Sequence, residues 1–119
     1  MELNGITIAV IHTEQMVKFY NAVFSTNLKP TVNIGDNQFY GGTLAGIDLT
    51  FCPNEIAGVV AEQNRQQFRF RVDDIQAVIT NGLANHGTEI NPIDEYKGAK
   101  VASLADPDGN TIEFVQLDS

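Results

Sequence analysis

The apolar positions of this chain follow two rhythms. From Glu14 to Phe24 they fall at Met16, Phe19, Tyr20, Val23 and Phe24, a spacing of i, i+3, i+4, i+7, i+8 that predicts an amphipathic helix. From Asp74 to Asn85 the stripe is Ile75, Val78, Ile79 and Leu83, a second helix. His12 or Thr13 is placed to cap the first, with Thr13 the better hydrogen-bonding cap. Asp73 with Gln76 three residues on resembles a capping box for the second, and Gly87 after His86 suits a left-handed C-terminal cap. Runs with the strand period of two surround both helices. Ile6 to Val10 precedes the first helix, and Lys29 to Ile34, Gln38 to Leu44 and Ile47 to Phe51 follow it. Phe68 to Val72 precedes the second, and Glu89 to Ile93, Ala99 to Leu104 and Thr111 to Leu117 follow it.

The pattern is βαβββ, twice. Module 1 spans 1–52, a linker 53–66 and module 2 67–119, together one domain of 119 residues. One such unit is too small to cover both faces of its sheet. The expected fold is therefore α+β, with two βαβββ modules forming a curved mixed sheet, helices on its convex side and a concave cleft on the other. Parity agrees. Ile6, Ile8, Val10, Leu49, Phe51, Phe70, Ile112 and Phe114 would face the helices. Gly5, Thr7, Asp48, Thr50, Gln67, Arg69, Arg71 and Glu113 share the opposite, polar parity. A solvated outer face would show the same alternation.

The segment LADPDGNTIEFVQ, 104–116, carries the clearest turn. Asp106 can accept hydrogen bonds from the turn backbone, Pro107 presets φ, and Gly109 tolerates positive φ. It delivers Glu113, a carboxylate between two core-type residues, onto the polar face.

Composition narrows the function classes. The net charge of −8 makes nucleic acid and anionic membrane poor partners. An acidic surface favours a cationic ligand, but solubility explains it equally well. No segment reaches membrane-spanning length, and no basic region followed by an apolar stretch reads as a signal peptide. The single cysteine, Cys52, rules out an intrachain disulfide and fits a cytoplasmic location; it reads as a packing thiol.

With Phe19-Tyr20 on the first helix, Phe70-Arg71-Val72-Asp73-Asp74-Ile75 at the second strand–helix junction and DPDGNTIEF near the C-terminus, the chain resembles the vicinal oxygen chelate superfamily. That group includes glyoxalases, bleomycin-binding proteins, fosfomycin-resistance enzymes and extradiol dioxygenases. The resemblance spans essentially the whole chain and implies four cleft positions facing a divalent ion. With Val10 overlaid on Val72, and Leu49-Thr50-Phe51 on Phe114-Val115-Gln116, these fall on Gly5, Asp48, Gln67 and Glu113. Gly5 brings no side-chain ligand. Asp48, Gln67 and Glu113 are oxygen donors, which suit magnesium or manganese better than zinc or nickel. The resemblance makes Glu113 a metal ligand or general base. The residues alone also allow it to be paired with Arg69 or Arg71 across the sheet. Neither histidine falls on the ligand register; His12 lies beyond the first strand, and His86 at a helix end reads as structural.

Thr7, Tyr40, Asp48, Thr50, Gln67, Arg69, Tyr96 and Glu113 are the candidate ligand-binding residues. Arg69 presents a fork suited to a carboxylate or phosphate, and Tyr40 and Tyr96 offer aromatic walls. The leading expectation is a small-molecule binder without the standard metal centre. The alternatives are a metal-dependent lyase or isomerase of the glyoxalase kind with Asp48, Gln67 and Glu113 as a weakened oxygen site, and a non-catalytic interaction domain with a vestigial cleft. A dioxygenase, which needs two histidines and a carboxylate on iron, is disfavoured. A homodimer is implied by the resemblance.

Overall fold

The first helical stripe forms α1 (Thr13–Phe24), and its apolar side is where the periodicity put it: Met16, Phe19 and Tyr20 are buried. These aromatics close over the first sheet, with Tyr20 meeting Phe51 edge-on at 5.1 Å between ring centroids. That sheet contains β1 (Gly5–Val10), β2 (Lys29–Ile34), β3 (Asn37–Leu44) and β4 (Ile47–Pro53), in the order β1-β4-β3-β2. β1 runs parallel to β4, and the other pairs are antiparallel. A one-turn helix, α2 (Asn54–Ala57), follows. The computed structural model describes residues 1–61 and 66–118; within the expected 53–66 linker, 62–65 lie outside the described residues, as does Ser119.

The chain divides into two compact units, Met1–Val60 and Ala61–Ser119, each carrying one βαβββ module. The second holds β5 (Arg69–Arg71), α3 (Ile75–Ala84), β6 (Thr88–Tyr96), β7 (Ala99–Ala105) and β8 (Thr111–Leu117). Its sheet order is β5-β8-β7-β6, the same order as in the first unit, with β5 parallel to β8. The architecture is therefore α+β with two βαβββ modules, as the duplicated pattern predicts. In the second unit Ile75, Ile79, Leu104, Ile112 and Phe114 are buried on the helix side.

Local chemistry fixes the joints. In the first unit the Asn21 carboxamide oxygen accepts the Leu28 N–H at 2.6 Å and the Thr26 hydroxyl at 2.7 Å, tying α1 to the entry of β2. In the second, Asp106 is buried. Its carboxylate accepts the Asp108 and Asn110 N–H groups at 3.0 and 2.9 Å and the Asn110 amide at 2.8 Å. The hairpin turn read from the sequence is built as expected.

Several boundaries differ from the sequence reading. The N-cap of α3 is Asp74, which accepts the Ala77 N–H at 3.1 Å; Asp73 with Gln76 does not form the cap. Thr13 is the first residue of α1 and caps nothing, because His12 occupies the cap position without a side-chain bond. After α3 it is His86 that takes the left-handed conformation, at φ 73°, while Gly87 donates to the Gly82 carbonyl. Histidine is among the residues that tolerate this region. Leu83 is 44% exposed; the buried line runs Ile75, Ile79, Gly82, and a leucine one residue further turns away from the sheet.

Candidate functional site

The open face of the second sheet is a lattice of cross-strand neighbours. Glu113 lies between Arg69 on β5 and Ser103 on β7, and Ser103 lies beside Asn91 on β6. Residues in register on adjacent strands point to one face, so these four side chains converge. Arg69 Nε donates to Glu113 Oε1 at 2.8 Å, and Asn91 Nδ2 donates to the buried Ser103 Oγ at 2.8 Å. The β6 register slips on both sides of Asn91, where Pro92 cannot donate to the ladder. The bulged strand bends and leaves a groove of about 450 Å³ lined by Asn91, Pro92, Ile93, Asp94, Val101, Ala102, Ser103 and Glu113.

Of the sequence candidates, Arg69 and Glu113 meet in this unit. Tyr96, at the end of β6, is 62% exposed, and the Lys97 ammonium stands 5.3 Å from its ring. Gln67 lies exposed in the segment before β5. In the first unit Thr7 is paired with Thr50, and Gly5 with Asp48, on the face away from α1. Tyr40 is not on that face: it pairs with Phe51, whose ring packs under α1, so strand parity places it on the helix-covered side. Cys52 is buried with its Sγ 3.6 Å from the Pro53 carbonyl oxygen, a packing thiol.

Strand pairing also changes the overlay of the modules. Gly5 stands beside Asp48, and the residue beside Glu113 is Arg69. If Asp48 corresponds to Glu113, Gly5 corresponds to Arg69 and not to Gln67. The Val10–Val72 overlay misses this because β1 and β5 sit differently against their parallel partners. This donor set is poor for a divalent ion. The position beside Asp48 carries no side chain, and the position beside Glu113 carries a guanidinium, which repels a cation and holds the carboxylate. Among the described residues no group of three or more His, Cys, Asp or Glu could hold a metal. The residues present do not fit the metal that the resemblance implies.

Asn91, Ser103 and Asp94 were not among the sequence candidates. Ser103 shares parity with Val101 and Ala99 and was legible as a polar interruption of β7. Asn91 and Asp94 were hidden by the bulge, which breaks the period of two.

A model of the glyoxalase/bleomycin resistance protein/dioxygenase superfamily matches residues 2–114. The chain belongs to this superfamily. Within the superfamily fold, a family enzyme from Burkholderia phytofirmans matches with a TM-score of 0.76 at 20% identity, over 98% of this chain and 99% of its own. A glyoxalase-related enzyme from Fulvimarina pelagi matches at 0.74 and 18% identity, over 98% and 88%. The fosfomycin resistance protein FosX from Mesorhizobium loti matches at 0.73 and 16% identity, over 95% and 89%. At these identities the likeness is one of fold. No curated protein matches the sequence. Superfamily membership fits the two-module topology; the fold hosts several chemistries, so activity has to be argued from the site.

Proposed function

We propose that this chain binds a small organic molecule on the open face of its second sheet, without the metal centre that the superfamily resemblance implies. The Arg69–Glu113 contact at the groove carries the reading. A glutamate that the resemblance would have hold a metal or move a proton instead accepts a direct hydrogen bond from a guanidinium, Arg69 Nε to Glu113 Oε1 at 2.8 Å. The groove, at about 450 Å³, falls within the size range of small-ligand sites, and it mixes apolar walls with a few polar groups. Arg69, Ser103 and Asn91 contact the ligand in this reading, and Glu113 holds Arg69 beside the groove. Thr7, Asp48 and Thr50 lie on the open face of the first unit's sheet, and Tyr40, Gln67 and Tyr96 take no part in this reading.

The reading includes a homodimer in the cytoplasm. Edge strands β2 and β6 support self-association, since Val32, Ile34 and Ile90 are exposed on strands with an unpaired edge. Light scattering during gel filtration tests it. Among the described residues no helix is long and apolar enough to cross a membrane. The single family match over 2–114 supports treating 1–119 as one working domain.

A fragment screen by ¹⁵N–¹H NMR tests the binding reading. Hits should shift the Val101, Ser103 and Glu113 amides in a saturable way. Hits that shift only the Thr7, Asp48 and Thr50 amides would move the site to the first unit.

A further inference from the structure

The groove has two electrically different ends. Glu113 forms its β8 rim, and on the neighbouring β5, outside the lining itself, stand Arg69 and, two residues on, Arg71, which the strand period projects from the same face. Both are exposed, in a chain with only seven Lys and Arg against fifteen Asp and Glu. Arg69 donates its Nε–H to Glu113 Oε1 at 2.8 Å. Among the described residues its four Nη protons have no hydrogen-bond partner, and Arg71 has no carboxylate partner. Glu113 is therefore offset by Arg69, while no carboxylate among the described residues pairs with Arg71. The other end of the groove carries Asp94, on β6, which already accepts the Glu95 N–H. β6 is three strand spacings from β5, roughly 14 Å. At that separation a charge at the exposed β6 rim is largely screened from the β5 end. Between the two, Asn91 donates to Ser103 Oγ and leaves the Ser103 hydroxyl proton to point elsewhere.

We infer that the ligand of this groove carries an oxyanion, a carboxylate or phosphonate-type group, which docks on Arg69 and Arg71 while its body lies along β8 and β7 over Ser103. This rests on the small-molecule reading above and names its chemical class. The inference runs against the net charge of the chain, which alone favours a cation. The local arrangement decides, because contacts within a few ångströms outweigh a screened surface field. Glu113 then acts as a positioning residue: it sets the Arg69 fork and does not touch the ligand. A guanidinium is suited to this role because its fork matches the two oxygens of a carboxylate or phosphonate.

The test is titration of the full chain with benzoate, phenylphosphonate, benzamidine and benzyl alcohol, followed by ¹⁵N–¹H NMR at Val101, Ser103 and Glu113. Benzoate or phenylphosphonate should bind. Arg69→Gln should weaken that binding by about tenfold or more, the loss of a charged hydrogen bond. Arg71→Gln should weaken it less, and Glu113→Gln should keep the oxyanion bound. All three changes lie on an exposed or half-exposed face, and dispersed spectra confirm folding. Benzamidine binding that is lost in Glu113→Gln, with no benzoate binding, would overturn the oxyanion assignment and leave the small-molecule reading standing. Unchanged benzoate affinity in Arg69→Gln would also overturn it. If no probe shifts the groove amides at millimolar concentration, both readings fall.

Discussion

Asp106 shows how much a single side chain can hold. Its carboxylate is 2% exposed and accepts from two backbone N–H groups and one side-chain amide. Removing it leaves buried donors without partners, so Asp106→Ala should cost about 2–4 kcal/mol, read as a lower urea midpoint at unchanged slope. Adjacent glycines make a sharper contrast. A Cβ on Gly42 would sit 2.4 Å from the Thr26 carbonyl oxygen and 3.2 Å from Leu28 backbone atoms, where nothing can swing aside. A Cβ on Gly41 would meet the Thr31 methyl at 3.0 Å, the end of a side chain that can rotate. Gly42→Ala should destabilise by about 1–3 kcal/mol, and Gly41→Ala by much less, in the same denaturation measurement. The Asp106 turn was legible because its signals are local: an acceptor, a proline and a glycine within four residues. The Gly42 contact was not, because its partner lies at the far side of the β2 connection. Tyr40 was misplaced for a related reason. Its strand is half-buried along its length, so the residue pattern does not say which parity faces α1.

At the scale of elements, the two long helices were read to within a residue or two, but the one-turn α2 inside the expected linker and the caps were not. Asp73 and Asp74 are both capping residues by type, and only geometry selects between them. Asp74 wins because its extended backbone, φ −137°, ψ 91°, aims the carboxylate at the Ala77 N–H. Asp74→Ala should therefore cost about 0.5–2 kcal/mol, whereas Asp73→Ala should stay within about 0.5 kcal/mol, by thermal melting of the two variants side by side. The strands carried more of the site than the sequence disclosed. β8 alternates cleanly, so the polar face with Glu113 could be read directly. β6 could not, since the slips around Asn91 destroy the period that would have grouped Asn91 and Asp94 with Ser103. The same bulge that hides these residues opens the groove, so the least legible strand shapes the candidate site.

For the whole molecule the decisive question is whether a divalent ion stabilises it. Any ligand that binds only the native state adds RT ln(1 + [L]/Kd), about 2.7 kcal/mol at a hundredfold excess over Kd, and a metal site should raise the melting temperature accordingly. The ligand positions that the resemblance implies come from the parallel strand pair of each unit. In the first unit that pair offers Asp48 beside a glycine, and in the second Glu113 beside Arg69. One carboxylate per unit, with a cation against the second, is a poor hold for magnesium or manganese, which take oxygen ligands in number, and poorer for zinc or nickel, which favour imidazole and thiolate. Magnesium, manganese, nickel and zinc should thus shift the melting temperature no further than a salt control of equal ionic strength, and a chelator should leave it unchanged. The exposed Arg69–Glu113 pair is worth only about 0–1 kcal/mol in itself, so Arg69→Ala should cost little stability. Its larger effect would be to free Glu113: a metal-dependent rise in melting temperature that appears in Arg69→Ala and not in the parent would show that the arginine is what keeps the ion out. A rise already present in the parent and lost in Glu113→Gln would instead restore a metal site and turn the search toward lyase and isomerase substrates.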